Sequence, residues 1–194
     1  MLAAVILSGG ASQRMGSPKA LVPFQGRPFL EHLLEATQQP RIGIRRVVLG
    51  AHAEPIANAI HLNADEIVIN DDWEKGQLSS IHAAIRSLPP GTDGIVLCLI
   101  DHPLISNALV HELTEAFYHS HKLIVLPVYE GRRGHPVIFS SKLYDELLRA
   151  PLETGARSVV WAHAPDVEEF LTNEEGCVLN LNDPDTLKKA LGGE

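Results

Sequence analysis

Glycines follow a short apolar run at the start of the chain, and two cations come soon after them. Residues 2–7 are apolar without any alternation, a pattern that predicts a fully buried strand. The run stops at Ser8, and Gly9 and Gly10 then allow the backbone to turn and to approach a ligand closely. Because backbone N–H groups in such a turn form a concave anion site, this stretch is the first candidate for binding chemistry.

Two fixed positive charges accompany the turn. Arg14 offers a planar guanidinium that suits paired phosphate oxygens, and Lys19 adds a compact ammonium. Together with the glycines, these cations predict a loop that binds a nucleoside triphosphate. The segment is not a P-loop, because no Gly-Lys-Ser/Thr closes it, and it is not the G-x-G-x-x-G dinucleotide fingerprint. A solvated connection with two surface cations is the structural alternative.

A carboxylate ends a second buried strand. Residues 94–100 form a continuous apolar run that is followed by Asp101. In an open α/β sheet, ligands bind outside the carboxyl ends of the strands, so Asp101 and the glycine turn are expected at the same edge. A carboxylate beside substrate phosphates is a typical ligand of Mg²⁺. The alternative is a turn or capping acid before Pro103.

Composition narrows the class of protein. The 194 residues carry a formal net charge of −8, which disfavours a general nucleic-acid or membrane-surface binder. The first 50 residues nevertheless carry +4 and the remainder −12, and a locally basic region suits a small anionic ligand. Only Cys98 and Cys177 are present, so no disulfide scaffold or zinc cluster is indicated. No apolar run approaches the roughly 20 residues that span a bilayer, and the start does not resemble a signal peptide, so we expect a cytoplasmic protein.

Strand and helix patterns alternate along the chain and predict one α/β domain over residues 1–194 with a mostly parallel sheet. Further strands are predicted at 46–49, 66–69, 123–127, 167–170 and 177–181, and helices at 29–39, 53–62, 79–88, 106–119, 142–149, 155–163 and 184–191. Residues 132–137 are predicted to form a short antiparallel excursion. Ser79 and Ser80 stand where a helix begins, so at least one is expected to cap it, and Asp183 is expected to cap the last helix.

Several segments resemble one enzyme family. L-S-G-G-A-S-Q-R-M-G-S-P-K at 7–19 resembles the nucleotidyltransferase signature L-x-G-G-x-S-x-R-M-G-x-x-K, and is most similar to that of molybdenum cofactor cytidylyltransferases and their guanylyltransferase relatives. G-R-R-G-H-P-V-I-F at 131–139 resembles G-x-R-G-H-P-V-L-F of the cytidylyltransferase branch. Shorter similarities lie at 73–80, 101–104, 153–157 and 180–187. The resemblance implies a Rossmann-like, three-layer nucleotidyltransferase fold.

The resemblance also implies roles for individual residues. The catalytic residues would be Arg14, Lys19 and Asp101. The nucleotide would be bound by Leu7, Ser8, Gly9, Gly10, Ser12, Arg14, Lys19, Ser79 and Ser80. Mg²⁺, the implied cofactor, would be held by Asp101 and Asn182, where the family frequently has a second Asp. The acceptor would contact Arg133, His135, Glu153 and Arg157; Glu153 replaces the usual Asp, and Leu152 replaces the preceding Gly.

The implied reaction moves CMP from CTP to the terminal phosphate of molybdopterin that carries molybdenum, and it releases pyrophosphate. The implied partners are the NTP, the phosphorylated pterin, and a recipient molybdoenzyme or its chaperone, without nucleic acid or membrane. Three alternatives stay open: guanylyl transfer from GTP, nucleotidyl transfer to a sugar or alditol phosphate, and a non-catalytic cofactor carrier. Magnesium-dependent pyrophosphate release with the acceptor separates the enzymes from the carrier.

Overall fold

A twisted sheet of mostly parallel strands forms the centre of the protein. The structure is a computed structural model, and it describes residues 1–12 and 15–192. Its strands are β1 (Leu2–Ser8), β2 (Pro23–Phe24), β3 (Arg27–Pro28), β4 (Ile42–Leu49), β5 (Ile67–Ile69), β6 (Gly94–Leu99), β7 (Ile124–Tyr129), β8 (Arg132–Arg133), β9 (Val137–Ser140) and β10 (Val167–Leu171). The large sheet has the order β10-β7-β9-β6-β1-β4-β5, with β8 added beside β7, and β2 and β3 form a separate hairpin.

Most neighbours in the large sheet are parallel. β1 lies between β4 and β6 and runs parallel to both, as the buried run at 2–7 predicts. β9 is the exception, because it pairs antiparallel with β6 on one side and with β7 on the other. β8 also pairs antiparallel with β7. The predicted excursion at 132–137 is therefore present, and it extends through the whole of β9.

Helices cover both faces of this sheet, as expected for a three-layer α/β fold. They are α1 (Phe29–Ala36), α2 (Ala53–Ala59), α3 (Gln77–Ser87), α4 (Asn107–Ser120), α5 (Tyr144–Arg149), α6 (Arg157–Ala162) and α7 (Pro184–Ala190). Alternate residues of β1 face opposite layers. Leu2 and Ile6 belong to the core shared with α1, α2 and α4, whereas Val5 and Leu7 belong to the core shared with α3, α5 and α6. The predicted Rossmann-like fold class is confirmed.

Helix ends follow the capping rules in two places that matter for the site. The Ser106 hydroxyl accepts a hydrogen bond from the backbone N–H of Leu109 and begins α4. Asp183 and Thr186 form a reciprocal capping box at the start of α7, with Asp183 Oδ1 accepting from the Thr186 N–H at 2.9 Å. The predicted capping role of Asp183 is confirmed.

Two local predictions are wrong. Residues 177–181 do not form a strand: a short 3₁₀ turn spans Glu175–Cys177, and an irregular segment follows. The backbone bonds of this segment go to loops, with the Cys177 carbonyl accepting from His135 N–H and the Leu181 N–H donating to the Asp101 carbonyl. In addition, α3 begins at Gln77, so its N-cap is Gly76, and neither Ser79 nor Ser80 caps it. Among residues 1–12 and 15–192, every helix is too short or too polar to cross a bilayer.

Candidate functional site

The register of the sheet brings three loops to one edge. Ser8 of β1 lies opposite Leu49 of β4, and Leu7 lies opposite Leu99 of β6. The three parallel strands therefore end at the same level, and the loops that follow them leave side by side. Asp101, two residues beyond β6, reaches the same edge as the glycine turn after β1.

A cavity of about 760 Å³ opens at this edge. Its walls are formed by Leu7, Ser8, Gly9, Gly10, Ala11, Ser12, Lys19, Trp73, Gly76, Gln77, Ser80, Leu99, Ile100, Asp101, Asn180 and Asn182. A volume of this size can hold a nucleotide-sized ligand. The predicted glycine turn and the predicted metal ligand therefore line a single cavity.

The glycine turn packs against the wall that carries Trp73. The Gly9 carbonyl accepts a hydrogen bond from the Ala51 N–H at 3.1 Å, which ties the turn to the loop after β4. A Cβ on Gly50 would lie 2.6 Å from Trp73 Cβ and would also collide with the Gly9 carbonyl oxygen. A Cβ on Gly9 would lie 2.9 Å from the Ser80 hydroxyl oxygen. Glycines at 9 and 50 thus allow the glycine turn and the Trp73 wall to touch.

Ser12 shapes the second half of the loop. Its backbone is in the left-handed region, with φ of 52°, and its carbonyl accepts from the Met15 N–H at 3.0 Å. Its hydroxyl accepts from the backbone N–H of Lys19 at 3.1 Å. Ser12 therefore fixes where Lys19 begins its path into the cavity. The predicted cation Arg14 lies outside the described residues.

Lys19, Asp101 and Asn182 form the charged centre of the cavity. The Lys19 ammonium lies 3.8 Å from Asp101 Oδ2, and it donates a hydrogen bond to Asn182 Oδ1. The Lys19 and Asp101 side chains are only 14% and 18% exposed, so their charges are poorly screened by water. The bond from the Leu181 N–H to the Asp101 carbonyl, 2.8 Å long, holds the segment that carries Asn182 beside Asp101.

Asn70 holds together the wall of the cavity that contains Ser80. Asn70 is buried, and its side-chain amide donates to the hydroxyls of Ser79 and Ser80 at 2.9 and 3.0 Å. The Ser79 hydroxyl also lies 2.7 Å from the Gly76 carbonyl oxygen, and Ser79 is not one of the described residues that line the cavity. Ser80 does line it. The two predicted serines therefore occupy different environments.

Two imidazoles pack behind Asp101. The His102 and His135 rings lie 5.0 Å apart, and His102 Nε2 is 3.9 Å from Asp101 Oδ1. The Nδ1 atom of each ring is buried, and neither atom has a hydrogen-bond partner among the described residues. Burial lowers the pKa of His102 and lowers the pKa of His135 to about 4, which favours the neutral form of both rings. His135 thus packs against His102, the neighbour of Asp101, and is not among the described residues that line the cavity.

The other predicted acceptor residues lie on the surface. The Arg133 guanidinium is paired with Glu169 of β10, with Nε 2.7 Å from the carboxylate. Arg157 lies over the Trp161 ring at 5.9 Å, and Glu153 is exposed. None of these three is among the described residues that line the cavity. Their predicted contacts with the acceptor stay predictions.

A family model for the MobA-like NTP transferase domain matches residues 4–167. The chain belongs to this family. The match covers the glycine turn, the Trp73 wall and Asp101. The predicted membership of the nucleotidyltransferase superfamily is therefore confirmed.

Named relatives of this MobA-like chain differ in activity. Nicotine blue oxidoreductase of Paenarthrobacter nicotinovorans is 31% identical and aligns with 72% of this chain and 71% of its own length. Molybdenum cofactor guanylyltransferase of Vibrio atlanticus is 28% identical over 94% of this chain and 92% of its own length. Rv0371c of Mycobacterium tuberculosis has a solved structure with a TM-score of 0.84, 26% identity and coverage of 100% and 99% of the two chains. Its manganese complex gives a TM-score of 0.77, 25% identity and 98% and 97% coverage.

Two side-chain oxygens of the MobA-like site have the chemistry of ligands for a divalent cation. The Lys19 ammonium already stands between the Asp101 carboxylate and the Asn182 amide oxygen, so these two oxygens converge on a position that a positive charge occupies. Both are hard oxygen ligands of the kind that Mg²⁺ takes together with substrate phosphates. No cluster of three or more His, Cys, Asp or Glu side chains that could hold a metal occurs in the described part of the chain. The Asp101 carboxylate and the Asn182 amide oxygen therefore fit as two of the ligands of a divalent cation.

Sequence reasoning missed three contributors to this MobA-like site. Asn180 lines the cavity, and its place two residues before Asn182 was an available signal. Gly50 was not singled out, although it follows a predicted strand. His52 bonds the Ala11 carbonyl through Nε2 at 2.9 Å. The last contact joins loops that are distant in sequence and leaves no local pattern.

Proposed function

We propose that this protein is a nucleotidyltransferase that moves a nucleoside monophosphate from an NTP to the terminal phosphate of the molybdenum cofactor. The observation that carries the proposal is the convergence of Lys19, Asp101 and Asn182 on the glycine turn in one cavity. The turn supplies backbone N–H groups for an anion, and the buried ammonium supplies positive charge. The Vibrio atlanticus guanylyltransferase aligns with nearly the whole chain, which supports the acceptor.

The chemical problem is mainly electrostatic. An acceptor phosphate oxygen attacks the α-phosphorus of the NTP in line, the bond from the α-phosphorus to the bridging oxygen breaks, and pyrophosphate leaves with that electron pair. The nucleophile is already ionised at neutral pH, so a strong general base is not required. Two polyanions must instead be brought together and held in line.

The glycine turn and the Lys19 ammonium are proposed to hold the phosphates in line. Gly9, Gly10 and Ser12 offer a turn without obstructing side chains against the phosphates, and Lys19 neutralises charge on the α-phosphate and on the departing pyrophosphate. Phosphate oxygens compete with Asp101 for the Lys19 ammonium when the nucleotide binds. Arg14, which lies outside the described residues, is proposed as a second cation for the same charges.

Asp101 and Asn182 are proposed to hold a divalent cation, Mg²⁺ in the cell. Such a cation neutralises phosphate charge and acts as a Lewis acid on the phosphoryl oxygens. The manganese complex of Rv0371c supports a divalent metal in a protein of this fold. Since Asn182 is neutral, Asp101 would supply the one protein charge on the metal, and the phosphates would supply the rest.

The proposed donor is CTP, with GTP as the second candidate. The segment Gly131–Phe139 resembles the cytidylyltransferase branch, which favours CTP. The name of the Vibrio atlanticus relative favours GTP. The same reaction with a sugar or alditol phosphate is disfavoured by this segment, and a carrier without catalysis would not need Lys19 and Asp101 together. A recipient molybdoenzyme or its chaperone is proposed to take the product.

The test is pyrophosphate release by the purified protein with Mg²⁺, the molybdenum cofactor and each of CTP, GTP, UTP, dTTP and ATP in turn. We expect release that requires both the acceptor and Mg²⁺, with CTP the best donor. Preference for GTP would replace the proposed base while keeping the reaction. Absence of pyrophosphate release with all five nucleotides would overturn the proposed reaction. A thermal-shift series with the same nucleotides gives an independent reading, because the bound donor stabilises the native state.

A further inference from the structure

His52 contacts the glycine turn from outside the cavity. It directly precedes α2, is half-buried, and is not one of the described cavity-lining residues. Its Nε2 lies 2.9 Å from the carbonyl oxygen of Ala11, which is in the turn. A carbonyl oxygen can only accept, so Nε2 carries the proton and donates it. This holds for the neutral Nε2–H tautomer and for the imidazolium alike.

A second bond from the same loop holds the other end of the turn. The Ala51 N–H donates to the Gly9 carbonyl at 3.1 Å. The carbonyls of Gly9 and Ala11 therefore both point toward the segment that begins α2. In a planar trans peptide, the C=O of one residue and the N–H of the next point in opposite directions. The N–H groups of Gly10 and Ser12 consequently point away from His52, and both residues line the cavity.

We propose that His52 is a positioning residue for the NTP: its bond to Ala11 holds the Ala11–Ser12 peptide so that the Ser12 N–H is presented to a phosphate. The inference rests on the proposed function, because it assumes that the cavity binds a triphosphate. Its reach extends to Lys19, whose backbone N–H is held by the Ser12 hydroxyl at 3.1 Å. A displaced Ala11–Ser12 peptide would move both a backbone donor and the start of the lysine.

The matched test replaces the imidazole by side chains of similar length with and without a donor. H52Q keeps an N–H that can reach the Ala11 carbonyl, whereas H52M fills the space without donating. One hydrogen bond contributes on the order of 1 kcal/mol, so we expect H52M to raise the KM for the NTP roughly 5- to 10-fold. The KM for the acceptor should change much less, and H52Q should recover most of the NTP affinity.

H61M is the control, because His61 is exposed just beyond the end of the same helix. It should leave all kinetic constants near those of the wild type. Thermal melts without nucleotide show whether each variant is folded, and H52A serves in place of H52M if the methionine does not pack. Equal NTP KM values for H52M and H52Q would overturn the inference, as would a loss of stability without a change in the KM.

The two proposals fail in different ways. If NTP with Mg²⁺ does not stabilise the wild-type protein against heating, the proposed function is wrong. If the wild type is stabilised and H52M is stabilised to the same extent at every NTP concentration, only the positioning role of His52 is wrong.

Discussion

The Lys19 ammonium lies 3.8 Å from the Asp101 carboxylate, although the two residues follow different strands, β1 and β6. The parallel register that places Leu7 opposite Leu99 brings both loops to one edge. The C-terminal segment then adds Asn182 to the same ammonium. The charged centre is thus a product of sheet geometry, and each of its three members can be tested separately.

Changing Asn182 to Asp should strengthen binding of a divalent cation. The substitution gives the site a second carboxylate, which is the ligand that Mg²⁺ favours most among these side chains. We expect the Mg²⁺ concentration for half-maximal pyrophosphate release to fall several-fold. Asn180→Asp adds the same charge to the same cavity and is the control, with a smaller expected change. An equal fall in both variants would show that charge alone, and not ligation at 182, is responsible.

Changing Gly50 to Ala should disrupt the packing between the glycine turn and the Trp73 wall. The added Cβ would lie 2.6 Å from Trp73 Cβ, so one of the two segments must move. We expect a loss of about 1–3 kcal/mol in the free energy of unfolding and weaker stabilisation by NTP. Gly10→Ala is the matched control for stability, since a Cβ there meets nothing within 4 Å. Urea denaturation of both variants measures the two unfolding free energies. Similar values would contradict the close packing of Gly50 against Trp73.

Changing Asn70 to Ala should destabilise the wall that carries Ser80. The buried amide donates to both serine hydroxyls, and its oxygen accepts from the Asp72 N–H at 3.1 Å. Loss of these bonds should cost on the order of 2 kcal/mol in unfolding free energy. The exposed Asn173→Ala should cost less than about 0.5 kcal/mol. The prediction fails if urea unfolding gives the two variants the same midpoint.

His163 should make stability depend on pH. His163 Nε2 donates a hydrogen bond of 2.8 Å to the Glu146 carboxylate, and this bond is the main reason that the pKa of His163 is raised. Burial opposes the shift, and the nearby Asp166 carboxylate adds a smaller upward contribution. The folded-state pKa lies above the unfolded value of about 6.5, so the stabilisation is fully present below that pH and is lost as pH rises through the folded pKa.

His163→Gln should therefore lower the free energy of unfolding at pH 5.5 and have less effect at pH 8.5. The expected loss at pH 5.5 is only roughly 0.5 kcal/mol, because the His163–Glu146 pair is partly exposed. Urea unfolding at the two pH values measures the difference. A loss of unfolding free energy that is the same at both pH values would exclude the charge on His163 as its source.

The elements with one strong local signal could be predicted from the sequence. The unbroken apolar run at 2–7 predicts a strand buried on both faces, and the run ending before Asp101 has the same character; both are strands in the structure. Ligand sites collect at the carboxyl edge of such a sheet, so the meeting of the glycine turn with Asp101 followed from topology. The capping role of Asp183 needed only its position before Pro184 and Thr186.

Predictions failed or were missing where distant segments decide the structure. The apolar residues at 177–181 look like a strand, but their backbone groups bond to His135 and Asp101 in loops. Ser79 and Ser80 look like caps, but the Asn70 side chain engages their hydroxyls. His52 acquires its partner only when the loop after β4 meets the loop after β1. None of these contacts has a spacing that a single sequence displays.

Pyrophosphate release by Lys19→Ala and Asp101→Ala, compared with the wild type, tests most directly whether these two residues act together on a triphosphate. Removing one preorganised charge from a poorly solvated site costs about 10²- to 10³-fold in turnover. We expect losses of that size in both variants, with unfolding free energies close to that of the wild type. Near-normal pyrophosphate release by either folded variant would contradict the assignment of this cavity as the active site.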